Sequence, residues 1–256
     1  SQQGILVQRG STTREILNND VRDNGQSGLF VENQARVDVI TGNVSNGNSV
    51  GLSILDRSSV GRVESNDFSR NDIGVQLAAT ATGENLRGNT IDSNRGGLFM
   101  DRASVVTAFE NNKLRNNREL GGINVGASTA AIGANEISGT LGAGVTVASQ
   151  GRVTLTGTVI DGNGDGGLSA FDGATVTAAG VRLSNNVAHG AQAAGAGSTL
   201  TLGAGTSITG TRRTASGSAG FGIISAAGGV VTCTSPPSLS GNAAGNLFGA
   251  ATGCIP

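Results

Sequence analysis

Tryptophan and tyrosine are absent from the 256 residues, and seven phenylalanines are the only aromatic side chains. An ordinary globular core anchored on large rings is therefore not expected. The chain holds one histidine and two distant cysteines, which leaves no conventional three- or four-ligand zinc set. The formal net charge is −1, so nothing pulls the chain electrostatically towards nucleic acid or an anionic membrane. No apolar run approaches the ~18–20 residues of a membrane-spanning helix, and no segment keeps a helical hydrophobic period for ten residues. Proline occurs only three times against 43 glycines. Disordered linkers enrich both residues, so glycine alone points to many tight turns. Charge is placed unevenly. Residues 1–120 carry 13 Lys/Arg and 14 Asp/Glu, whereas the remainder carries 4 of each and is rich in Ala, Gly, Thr and Ser.

A repeat runs through both parts and argues for one architecture with a changing surface rather than a domain boundary near residue 120. Glycine followed by alternating apolar residues recurs at Gly4, Gly28, Gly51, Gly74, Gly97, Gly122, Gly144, Gly167 and Gly190, in steps of 22 to 25. Gly222 and Gly245 follow after one longer step of 32. A second apolar column, Val21, Val44, Phe68, Ile91, Leu114, Ile137, Ile160 and Leu183, keeps the same phase. Within each unit three short alternations read as strands: one around Leu29-Phe30-Val31, one around Val37-Asp38-Val39, and one around Thr90-Ile91-Asp92. Three strands and three turns in ~23 residues describe one turn of a solenoid. The leucine-rich L-x-x-L-x-L frame and calcium-binding G-G-x-G-x-D tandems of comparable repeats are missing. The fold class expected is all-β: a single parallel β-helix of about ten coils, right-handed by the usual chirality of parallel crossovers.

Asparagine punctuates the units. Asn19, Asn66, Asn89, Asn112 and Asn135 precede the second apolar column by two residues, and Asn24, Asn71, Asn94, Asn117, Asn163 and Asn186 follow it by three. Asparagine tolerates left-handed turns, and its amide can bond the next coil, so structural ladders are expected.

The spacing N-x-Φ-x-x-N…G-Φ-x-Φ, as in Asn89 to Asn94 followed by Gly97 to Met100, resembles the β-helix repeats of the pectate-lyase-like superfamily. The resemblance covers nearly the whole chain. It implies the fold, and it implies polysaccharide as the class of partner, since enzymes of that group work on chains laid along a strand face. It does not name an activity, because one scaffold hosts many. Hydrolysis would need paired carboxylates roughly 5–9.5 Å apart, and lyase or epimerase chemistry would need a base with a nearby charge neutraliser.

The strongest candidate patch lies just after the first strand of several coils. Glu32, Asp56 with Arg57, and Asp101 with Arg102 fall at nearly equivalent places, with Gln8 and Arg9 extending them and Ala78 and Ala79 interrupting them. Phe30 and Phe99 point outward from the adjacent strand by alternation and could stack on sugar rings. The single histidine, His189, stands in a coil with little other polar chemistry, and no G-x-S-x-G elbow supports a hydrolytic triad. No catalytic residue or metal ligand is therefore assigned. No cofactor is expected, although the acidic residues are compatible with a carboxylate-only Ca²⁺ site.

The reading is a secreted or cell-surface scaffold that binds polysaccharide or adheres without catalysis. The alternative is a lyase, epimerase or hydrolase acting on an acidic polysaccharide. Residues 1–256 form one domain, with an irregular insertion around 203–221 and a C-terminal cap over 230–256. Cys233 and Cys254 lie 21 residues apart, close to one coil, so stacking brings them within reach of a disulfide. A bridge there implies an extracellular, cell-surface or periplasmic location. The N-terminal end of such a helix is expected to be covered by further residues, another domain or a subunit.

Overall fold

The computed structural model describes residues 2–217 and 219–255, and all regular structure within them is strand. Three parallel sheets run the length of one solenoid. The first takes one strand from each of eleven turns, from Ile5–Val7 through Ser27–Val31, Val50–Leu55 and Gly96–Met100 to Gly245–Phe248. The second also has eleven strands, from Thr12–Leu17 to Ala251–Thr252. The third has seven, from Thr90–Asp92 to Ser238–Ser240, and single bridges Asp20–Val44, Val44–Asp67 and Asp67–Thr90 prolong it towards the N-terminus. The eleven turns exceed the ten or so expected by one. No helix among the described residues is long and apolar enough to cross a membrane.

The apolar periodicity explains the core. Leu29, Leu52, Val75, Leu98 and Ile123 stack in one inward row of the first sheet, and Val31, Ile54, Leu77, Met100 and Val125 in the next. The third sheet contributes Phe68, Ile91, Leu114, Ile137, Ile160 and Leu183, all fully buried. Glycine opens the first-sheet strands because that corner is tight. A Cβ on Gly51 would lie 2.6 Å from the Gly74 carbonyl oxygen, and one on Gly74 would lie 2.5 Å from Ile91 Cγ2.

Three registers differ from the sequence reading: Gly245 lies opposite Phe221, one position short of the Gly222 column, and two others fall nearer the N-terminus. In the second turn the column position belongs to Ser45, which is buried, while Val44 pairs with Asp20 and Asp67 and is only half-buried. An apolar pattern selects valine over serine, but the Ser45 hydroxyl satisfies itself by donating to the Gly51 carbonyl at 2.8 Å. In the second sheet the inward pair is Val37 and Ile40, so Asp38 and Val39 both face outward. Strands in this sheet as far as Val105–Glu110 carry the extra residue, and the register shifts between Val106 and Phe109 where the plainer Thr129–Gly133 strand takes over. This bulge gives the charged N-terminal turns additional outward positions.

The asparagine ladders run unbroken from Asn19 to Asn135 and from Asn24 to Asn117; Thr140 interrupts the second, which resumes at Asn163 and Asn186. Asn19, Asn43, Asn66, Asn89, Asn112 and Asn135 form one column, each backbone N–H donating to the next residue's Oδ1 at 2.9–3.0 Å. In the second column Asn24, Asn48, Asn71, Asn94 and Asn117 do the same at 2.8–3.1 Å. Asn43 and Asn48 escaped the sequence reading because Val44 had set its phase by one residue. The side-chain amides reach back to a carbonyl one coil earlier, as Asn89 Nδ2 does to Val63 at 2.9 Å.

Cys233 and Cys254 form a disulfide with a Cα–Cα distance of 4.9 Å, joining the last two turns of the second sheet. Within the expected insertion at 203–221, Ser207–Thr209 is a regular strand of the third sheet, paired to Arg182–Ser184 and Ser238–Ser240. Stacking continues to Arg212, bridged to Val187, so the irregular stretch is narrower, 213–217 with 219–220, and Ser218 lies outside the described residues.

Candidate functional site

Along the outside of the first sheet one side chain per turn faces away from the core. In register these are Leu6, Phe30, Ser53, Gln76, Phe99, Asn124, Thr146, Ser169, Gln192, Ile224 and Phe248. Apolar side chains stand at Leu6, Phe30, Phe99, Ile224 and Phe248, amides and hydroxyls fill the other six positions, of which Ser53 and Ser169 are buried, and none of the eleven is charged. Phe30 and Phe99 are half-buried here, as alternation requires, and stand three turns apart, about 14 Å at the usual strand spacing. At the C-terminal end Phe248 packs against Phe221 with ring centroids 5.2 Å apart.

The turn beyond this sheet carries the charged candidates, but not in the register expected. Glu32 and Asp101 share one turn position, and Leu55 and Ala78 occupy it in the two turns between them. Asp56 falls one position further on, with Asn33, Ala79 and Arg102, and Arg57 a further one, with Gln34, Thr80 and Ala103. The error is physical: Asp56 and Arg57 are a left-handed pair, with φ of 52° and 61°, and Arg102 and Ala103 are the matching pair. Asp101 is therefore the last residue before its turn, as Glu32 is. Asp56, Arg57 and Arg102 are exposed, while Glu32 and Asp101 are half-buried.

This geometry limits the chemistry. Glu32 and Asp101 are three turns apart, about 14 Å, beyond the spacing of a glycosidase carboxylate pair. Asp101 is engaged by its own neighbour, Arg102 Nε to Asp101 Oδ2 at 3.7 Å. Just beyond this pair a 280 Å³ depression is lined by Ser104, Ser128, Thr129, Gln150 and Arg152 among others. Among the described residues no three His, Cys, Asp or Glu side chains gather as metal ligands do.

Several charges elsewhere are paired. On the second sheet Arg36 contacts Asp38 at 2.8 Å and Glu84 at 3.4 Å, and Glu64 receives Arg87 at 3.3 Å. On the third, Arg115 grips Glu136 through Nε and a terminal nitrogen at 2.9 and 2.7 Å.

Sequence reasoning passed over one arrangement. His189 is buried on the outer side of the first sheet, and its Nε2 is 2.7 Å from Ser169 Oγ. Its imidazole lies over Gly166 of the preceding turn, where a Cβ would collide with the ring. Burial pushes its pKa down to about 4, so the ring is neutral at ordinary pH. The signal in the sequence was a 23-residue offset, since Gly166 and His189 occupy the same column.

A family model described as the right handed beta helix region matches residues 1–132 and 107–212. No curated protein and no solved structure matches the chain.

Proposed function

The chain belongs to the right-handed β-helix family, and from that premise we propose that it is an exported, non-catalytic scaffold that holds polysaccharide against the outer face of its first sheet. The observation that carries this is the uncharged column from Leu6 to Phe248, which presents one side chain per ~4.8 Å step and places the rings of Phe30, Phe99 and Phe248 among amides and hydroxyls. Sugars present apolar faces and a rim of hydroxyls, so such a surface offers stacking and hydrogen bonds together. Glu32, Asp56, Arg57, Asp101 and Arg102 form a polar rim beside it and position the chain rather than cut it. The separation of Glu32 from Asp101 supports a binding role over a hydrolytic one. The disulfide supports export, since such bridges persist in oxidising compartments.

A glycan array combined with a polysaccharide-degradation screen tests the reading. Retention without new chain ends is the expected result. Cleavage or unsaturated products would instead make the chain a polysaccharide-modifying enzyme, and no retention of any glycan would refute the proposal.

A further inference from the structure

The longest departure from coil regularity and the only histidine of the chain meet at one place. Thr209 to Phe221 spans 12 positions where the preceding turn needs 5 from Ser184 to His189. That extra length folds back onto the His189 turn. The Gly220 N–H donates to the Ala188 carbonyl at 2.6 Å, and the Ala188 N–H to the Arg212 carbonyl at 2.9 Å. The result is a wall, with Ala219 at its edge, beside a 330 Å³ depression that crosses four successive turns of the first sheet.

The depression is built in layers. Its floor is the Ser169–His189 pair, two buried polar side chains that satisfy each other. Room for the imidazole exists only because position 166 is glycine. Above the floor, Thr146 and Gln192 are half-buried members of the uncharged column, one turn to either side of Ser169. Phe171, two residues beyond Ser169 on the same strand, points to the same side and is half-buried. Asp165 stands exposed at the opposite edge.

We infer that this depression is a subsite for one uncharged pyranose unit, its ring against Phe171 and its hydroxyls bonded to Gln192, Thr146 and Asp165. The inference deepens the polysaccharide-binding reading and rests on it. The lining includes one carboxylate and no Lys or Arg, so a uronate would meet Asp165 without a compensating cation. The imidazole is neutral and supplies no such charge. A neutral sugar instead offers hydroxyl donors to the carboxylate and acceptors to the amide. A volume of this size also falls in the range of small-ligand sites.

Isothermal titration calorimetry of the whole chain with cellohexaose, mannohexaose, maltohexaose and hexagalacturonate tests it. Phe171→Ala and Gln192→Ala are the variants, since both side chains stand on the outer face, and the melting temperature of each separates lost binding from lost fold. Asp101→Ala with Arg102→Ala serves as the distant control. The expected result is binding of at least one neutral hexaose, weakened by about tenfold or more in each pocket variant and unchanged in the control. Equal binding by wild type and pocket variants would overturn the subsite and leave the scaffold reading standing. Binding of hexagalacturonate alone would overturn the uncharged ligand. A wild type that binds none of the four, after also retaining nothing on the glycan array, would overturn both readings.

Discussion

Replacing Asn94 and Asn117 with alanine, singly and together, weighs the ladder bond by bond. Asn117 holds three groups at once. Its Oδ1 accepts from the Asn94 N–H and from Asn94 Nδ2, each at 3.1 Å, and its Nδ2 donates to the Ile91 carbonyl at 3.0 Å. Ile91, Asn94 and Asn117 have no solvent exposure. Asn117→Ala therefore orphans two buried donors, each costing about 1–3 kcal/mol, while the Ile91 carbonyl keeps its ladder partner, and a water drawn into the vacated space recovers part, so the expected loss is about 2–3 kcal/mol. Asn94→Ala orphans one, the Asn71 N–H that donates to Asn94 Oδ1 at 2.8 Å, for about 1–2 kcal/mol. In the double variant the Asn94 amide no longer exists to be orphaned. Its loss should fall short of the sum of the singles by about 1 kcal/mol. Urea unfolding followed by far-UV circular dichroism, checked against calorimetry, measures all three, because a solenoid can unfold in parts and two probes must agree. Singles that each cost less than about 0.5 kcal/mol, the level of an ordinary surface change, would refute the claim that the ladders stabilise the fold.

Three further outcomes are expected. The unfolded chain protonates His189 below the ordinary value of 6.5, whereas the folded chain resists until about 4. Stability should thus be full above pH 6.5 and fall on acidification, by about 2 kcal/mol at pH 5, with denaturant titrations of His189→Gln showing a flatter profile; an equal slope in that variant would assign the loss to other groups. Reducing the Cys233–Cys254 bridge, or replacing both residues with serine, should cost about 3 kcal/mol for a loop of this length, read from the shift in urea midpoint. Brief trypsin digestion should cut first after Arg213, because Arg212 is held in a bridge to Val187 whereas residues 214–217 are exposed or half-exposed loop; mass spectrometry showing an earlier cut elsewhere would contradict that ranking.

The solenoid was legible because its two signals are redundant. Ten glycines, from Gly4 to Gly222, mark the tight corner where a Cβ has no room, and the apolar column marks the third sheet, so either alone gives the period. What failed was phase at single residues. Val44 looks like a core residue and Ser45 does not, yet Ser45 is the buried one, because a hydroxyl with a local carbonyl partner is as acceptable inside as a methyl group. The bulge in the second sheet was hidden for a related reason: Val37-Asp38-Val39 alternates well, and only the burial of Ile40 shows that Val39 turns outward. The disulfide was legible from coil length alone. The charged patch was less so, since one residue of offset in a left-handed turn moves Asp56 out of line with Glu32 and Asp101. The His189–Ser169 pair was invisible locally, its partners being 20 residues apart and joined only by stacking.

The difference between the two outer faces follows from the same stacking. Any outward position is repeated each ~4.8 Å, so like charges in one column repel along the whole helix. The second sheet meets this constraint by alternating sign along and across its turns, as in Arg36 with Asp38 and Glu84, and Glu64 with Arg87. Such exposed pairs stabilise little individually, but they leave much of the charge of that surface engaged. The bulge supplies the extra outward residues on which several of them sit, which is why charge and bulges fade together after residue 120. The first sheet meets the constraint by carrying no charge in its column. That leaves a long strip whose polar groups are amides and hydroxyls, cheaper to desolvate than ions, beside rings that gain from losing water. A linear ligand with an uncharged repeat would meet an uncharged side chain at every turn, and the His189 depression is where the segment after Arg212 adds a wall to that otherwise open strip.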